Sequence, residues 1–434
     1  MPINETLVKL ISSAKISYWL KILTKFLSLE LALQSLGFAS GILIIRTLSK
    51  EEYAYFTVAN AMQAVINVLC NSGITIGLTS IGGKVWQDKY RFGQIINTSI
   101  RLRNYLAIPA ATVITPILLW ILISNGSSLI YAILIILAIL VELYLYLYIS
   151  VFQISLNLQS LFNKVQQHNL IGGLTRLILI SSSSYTNALN AAIALWISTI
   201  ASGVNYWFLK KSTQKLFDPQ APPNQEYIEE LTKIFKYRFP STLFFAVRGQ
   251  ISIWIITFFG SNQNIAEIGA LSRLEVLFSI FLSLVQNMIV PSLSRCQSIS
   301  IFRKRYAILV FLSLSLSSIL LLFSYLFPEV LLWILGKNYS YLVHELFWSI
   351  LSTIIGMTNN LSLSVNSSKG WVKDSWLGIP LTLLTQIFVV LFCNLSTVKG
   401  VIIFGIFSQI PGLMVNLYMN YQGLCQKPNY YFDS

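Results

Sequence analysis

"RTLSKEEYAYF", Arg46 to Phe56, sets Arg46, Lys50, Glu51 and Glu52 within seven residues of a chain otherwise poor in charge. Apolar runs flank it, "LELALQSLGFASGILII" (29–45) before and "TVANAMQAVINVLCNSGITIGL" (57–78) after. A short charged turn between two long apolar runs is the pattern of a chain that leaves a bilayer and re-enters it. The rest of the sequence agrees. Of 434 residues, 55% are hydrophobic and 11% charged, against about 25% charged in a soluble domain. The mean hydropathy is +0.67. The composition predicts an all-α polytopic membrane protein.

A helix needs roughly 20 mostly apolar residues to cross the hydrocarbon core. That rule places spans near 26–45, 54–76, 104–124, 129–151, 168–186 and 188–209, and again near 239–259, 266–290, 306–327, 342–364, 376–393 and 400–420. Serine and asparagine dilute the fifth, sixth and tenth. The sequence thus predicts about twelve transmembrane helices in two pseudo-symmetric six-helix bundles, 26–209 and 239–420. A basic arm (1–25), a Pro-bearing hydrophilic linker (210–238) and a tail (421–434) complete the chain. The arm has near-helical apolar spacing at Leu7, Ile11, Tyr18 and Ile22, which suits a basic helix on the membrane surface or a cytosolic tail. It lacks the small-residue cleavage site of a secretory signal.

The net charge of +14 follows alternate loops. With the N-terminus in the cytoplasm, about 23 Lys/Arg fall on that side and about 4 outside. The inner set includes Lys84, Lys89, Arg91, Arg101 and Arg103, then Lys210, Lys211 and Lys215, then Arg303, Lys304 and Arg305. Both termini are therefore expected to be cytoplasmic. Charge dispersed over loops is not the single basic patch that binds nucleic acid. The four cysteines and two histidines have no metal-ligand spacing. "GLTSIGGKV" (77–85) lacks the spacing and the Ser/Thr of a phosphate-binding loop. No cofactor, no metal and no catalytic residue is expected.

Ionisable groups at mid-bilayer cost about 2.5–3.5 kcal/mol on insertion scales, so they tend to face a cavity or a partner. Arg248 falls near the middle of the seventh span, Arg176 inside the fifth, Arg273 and Glu275 in the eighth, and Glu142 deep in the fourth. Glu30 is one turn from the end of the first. Asn60, Gln63, Asn67 and Asn71 recur at steps of three or four in the second span and make one polar stripe. Ser279, Ser283 and Gln286 do so in the eighth, and Ser252 shares a face with Arg248 in the seventh. Such groups serve either as hydrogen-bonding glue between helices or as the lining of a shared hydrophilic path. Arg176 and Glu142 fit a buried structural pair equally well. A cationic cavity suits an amphipathic anion, because guanidinium groups match phosphate geometry. Glu275 and Glu142 are the titratable candidates for coupling transport to an ion.

The run "IIRTLSKEEYAYFTVANAMQAVINVLCNSGITIGL" (44–78) resembles the first hairpin of polysaccharide and O-antigen flippases of the multidrug/oligosaccharidyl-lipid/polysaccharide (MOP) superfamily. "FFGSNQNIAEIGALSRLE" (258–275) and "WILGKNYS" (333–340) are similar to later segments of that family, and Ala54 departs from its frequent glycine. The resemblance implies a flippase, not an enzyme, carrying a polyprenyl-pyrophosphate-linked oligosaccharide across a bacterial inner membrane by alternating access. Membrane lipids and polysaccharide polymerase or assembly proteins are the partners it implies. A membrane glycosyltransferase or polymerase and a multidrug or cation exporter of the same superfamily are the rival readings.

Overall fold

A computed structural model describes residues 28–71, 73–285, 289–290, 293, 296, 299–369, 371 and 373–425. The N-terminal arm, Gln286 and the last nine residues of the tail lie outside the described residues.

The described chain is α-helical, without strands. α1 (Ser28–Thr47) leads through a two-residue turn into α2 (Lys50–Asn71) and α3 (Ile74–Val85). These two form one bent unit, at 41°, broken where Gly73 takes φ +72°. α4 (Lys89–Ser124), α5 (Leu129–Leu158), α6 (Phe162–Tyr185) and α7 (Ala191–Thr213) complete the first half. α8 (Gln225–Phe259) and α9 (Asn262–Ser272) open the second, and a 3-10 turn at Arg273–Glu275 leads into α10 (Val276–Leu284). α11 (Ile299–Leu326), α12 (Pro328–Leu335), α13 (Val343–Lys369), α14 (Gly378–Phe392) and α15 (Val398–Cys425) follow.

Local chemistry marks the starts. Asp88, Ser128, Asn190, Asn224 and Ser261 each accept a backbone N–H at the first turn of α4, α5, α7, α8 and α9, satisfying donors a helix cannot pair internally. Among the described residues eight helices are long and apolar enough to cross a membrane, and the bent α2–α3 unit, taken as one span, makes a ninth. α6 and α13 fill the fifth and tenth positions and are long enough, but their serines and asparagines keep them below that test. The chain is an all-α polytopic membrane protein.

Packing repeats between the halves. α5 lies against α7, α6 against α7 and α4 against α5; α13 lies against α15, α14 against α15 and α11 against α13. The halves meet chiefly where α2 crosses α8 and α9. The turns alternate between two ends. At the hairpin end, Thr47 bonds Ser184, while Tyr55 and Asn262 both donate to the carbonyl of Asn125. At the linker end, Asn97 donates to the carbonyls of Pro219 and Ala221, and Asn224 N–H to Thr98.

Within the hydrophilic stretch 210–238, α7 extends to Thr213 and α8 starts at Gln225, so many of its polar residues prolong two helices. One expectation changes. Arg103 is not a loop charge. It is wholly buried, because α4 begins well before the apolar run and carries Arg103 inside the bundle.

Candidate functional site

α8, the α9–α10 unit, α13, α14 and α15 enclose a cavity of about 930 Å³, lined by second-half residues. That lies near the top of the size range of small-molecule sites, roughly 300–1,000 Å³. Arg248 and Glu275 are its charged lining groups; Ser252, Ser272, Ser279, Asn359, Asn360, Gln409 and Asn416 supply much of its polar wall.

The position of Arg248 is set by what faces it. A side-chain carbon built on Gly412 of α15 would stand 3.1 and 3.5 Å from its two terminal nitrogens and 3.6 Å from the Asn359 amide nitrogen. Glycine at 412 lets the guanidinium lie close against α15; a side-chain carbon there would press on it by a few tenths of an ångström. Among the described residues Arg248 has no hydrogen bond and no ion pair; the one ion pair found joins Arg91 to Asp88 at 3.6 Å. A guanidinium carries five donors and keeps its charge, so these donors face the cavity unmet.

The amides beside it are organised. Asn416 Nδ2 donates to Asn359 Oδ1 at 2.8 Å, and Asn366 Nδ2 donates to the Asn416 carbonyl at 2.9 Å. Gln409 Nε2 donates to Ser352 Oγ at 3.2 Å. Glu275 shares the cavity without touching Arg248. The result is a fixed cation, a carboxylate and a wall of amides and hydroxyls able both to give and to accept hydrogen bonds.

Of the residues singled out in the sequence, Arg248, Ser252, Glu275 and Ser279 come together here. Ser283 donates to Glu30 at 2.9 Å and Ser279 to Gln34 at 3.3 Å, so α1 covers the outer side of that stripe. Arg273 stands outside the cavity lining. Its Nε donates to Tyr53 Oη at 3.2 Å, and its guanidinium lies 5.7 Å from the Phe56 ring centroid. Asn60, Gln63, Asn67 and Asn71 are absent from the lining. Asn60 bonds its own helix, and Asn71 donates to Tyr146 at 2.7 Å. Glu142 accepts from Ser202 at 2.7 Å and makes no contact ion pair with Arg176, though the two remain within electrostatic reach.

Sequence reasoning passed over the amide wall. Its signal was present: Ser352, Asn359 and Asn366 repeat every seven residues, and Gly405, Gln409, Gly412 and Asn416 fall at steps of three and four. It also missed the first-half cluster around Arg103. There the guanidinium donates to Thr75 Oγ1 at 2.8 Å, to the Leu147 carbonyl at 3.1 Å and to Ser150 Oγ.

No family model matches the sequence, and no curated protein matches it. Solved structures do. An inward-facing multidrug resistance MATE family transporter of the MOP superfamily superposes with TM-score 0.74 at 14% identity, over 91% of this chain and 98% of that one. The fold is that of MOP-superfamily transporters. A MOP superfamily transporter from Pyrococcus furiosus, described as having a binding pocket of reversed polarity, gives TM-score 0.63 at 12% identity over 92% and 95%. An outward-facing MATE transporter gives 0.61 at 12% over 91% and 93%.

Proposed function

We propose that the chain is an alternating-access transporter that moves a polyprenyl-pyrophosphate-linked oligosaccharide from the cytoplasmic to the outer leaflet of a bacterial inner membrane, for surface polysaccharide synthesis. Arg248 carries this reading. A charged group held inside a membrane bundle without a protein partner costs free energy that a phosphate cargo would offset. The amide and hydroxyl wall offers a sugar the paired donors and acceptors it needs, while the lipid tail stays in the bilayer. Glu275 is the ion-coupling carboxylate, since it shares the cavity with Arg248 and Glu142 does not. The better superposition on an inward-facing relative, 0.74 against 0.61 for the outward-facing one, supports a state closed at the hairpin end, which the charge bias assigns to the outside.

A second reading is export of a cationic drug. Glu275 in the cavity and the multidrug relatives favour it. Proteoliposomes of the full-length chain separate the two. Translocation of a fluorescent lipid-pyrophosphate oligosaccharide, without transport of an ethidium-type cation, is the expected outcome. Cation transport with no movement of the lipid would overturn it.

A further inference from the structure

The two stretches that mark the sequence most clearly, 46–53 and 333–341, dock on one another across the halves. Arg46 Nε donates to the Ile334 carbonyl at 3.0 Å and its Nη2 to the Trp333 carbonyl. These carbonyls end α12, where a helix carries partial negative charge; that of Trp333 also accepts the Gly336 N–H at 3.2 Å. The guanidinium also lies 5.0 Å from the Trp333 ring centroid. Gly336, just past that end at φ +105°, has Arg46 Cγ 3.1 Å from where a side-chain carbon would stand.

A second strand of contacts runs beside it. Lys50 Nζ donates to Tyr341 Oη at 3.0 Å and sits 4.9 Å from that ring. Tyr341 donates in turn to the buried Glu267, which also accepts from Gln263 at 2.8 Å. Deeper, Tyr53 Oη donates to the Gly269 carbonyl at 3.0 Å. There α2 and α9 approach so closely that a carbon on Gly269 would stand 2.4 Å from Thr57 Oγ1.

We infer that Arg46 and Lys50, seated on the 333–341 segment and Glu267, form a releasable latch that closes the cavity at the hairpin end and reports its occupancy through α9. Three features carry this. The contacts join opposite halves. They are polar or cation–π and lie partly outside the packed core, with Trp333 71% and Tyr341 49% exposed, so each is individually weak and the set suits a reversible two-state element. And α9 is one helix of 11 residues bearing Gln263 in its first turn, latch residue Glu267 at its middle next to cavity residue Ile268, and cavity residue Ser272 at its end, with Glu275 in the 3-10 turn beyond. A short 3-10 stretch inside a longer helical run is a common hinge. A cargo drawing on Glu275 or Ser272 therefore pulls on the latch. The inference rests on the alternating-access reading but not on the identity of the cargo.

The test uses full-length protein with its four cysteines replaced, Ser272→Cys as reporter, and a membrane-impermeant maleimide added from the hairpin side. Arg46→Ala with Lys50→Ala is expected to raise the labelling rate about tenfold, as is the wedge Gly269→Ala. Unchanged labelling in monodisperse latch variants would overturn the inference. Where those variants fail to fold, Lys50→Cys with Tyr341→Cys, without the reporter and joined by a short bis-maleimide, decides. Transport lost on linking supports the latch; transport at the unlinked rate refutes it. Failure of the cargo reading alone leaves the labelling result intact.

Discussion

Arg103 in the first half and Arg248 in the second are both guanidinium groups inside helical bundles with no carboxylate against them, yet the fold uses them in opposite ways. Arg103 is wholly buried, and its donors go to Thr75, Leu147 and Ser150, tying α4 and α5 to the break between α2 and α3. Arg248 is half-buried, faces a cavity, and has no partner among the described residues. The first half spends its polar groups on itself: Asn71 on Tyr146, Glu142 on Ser202, Asn205 on Asn169. In the second half Asn366, Asn416 and Gln409 are bonded as well, and it is the guanidinium of Arg248 that is left facing open space. What sets Arg248 apart is that its unmet donors face a cavity, whereas the unmet Nε of Arg103 and of Arg176 are buried against protein.

Substitutions sharpen that contrast. Arg103→Met should have the largest effect on folding. It deletes three charge-assisted hydrogen bonds worth about 1.5–3 kcal/mol each, so thermal unfolding in detergent should drop steeply and monodisperse yield should collapse. Arg248→Ala should do the reverse. Its melting temperature should hold, while lipid-oligosaccharide translocation in proteoliposomes falls by about tenfold or more, the loss of one desolvated charge–phosphate contact. Equal destabilisation of both variants would erase the distinction.

Asn416→Ala should fall between these. It removes the amide bridging Asn366 and Asn359 at about 1 kcal/mol per neutral hydrogen bond. A melting shift of a few degrees should therefore accompany a several-fold loss of transport. Gln63→Ala and Asn67→Ala should be mildest, within about twofold of normal transport, since neither lines the cavity and interhelical polar groups of this kind contribute little. A larger loss would return the first-half stripe to the transport path.

Much of the fold was legible in the letters because bilayer crossing imposes length and apolarity. The hairpin at 46–56 stands where the sequence put it, with Glu51 and Glu52 in the first turn of α2. Glu52 reaches further, accepting the Ala191 N–H at 2.7 Å. Boundaries next to charged residues were harder to read, because helices here run on past the apolar run: α4 starts at Lys89 and α8 at Gln225. The site was legible in part. Arg248 and Glu275 announced themselves as charges in oily runs, whereas their amide wall is written in residues that also serve as glue. Which polar stripe faces a cavity depends on how helices rotate against one another. Small residues such as Gly412 and Gly269 decide that, and they carry no polar signal.

The most direct test is equilibrium binding of polyprenyl pyrophosphate to the purified full-length protein, compared with Arg248→Ala. Arg248 as the anion's anchor predicts saturable binding in the unaltered protein and a Kd raised about tenfold or more in the variant, with the melting temperature unchanged. Equal affinity in two equally stable proteins would contradict it.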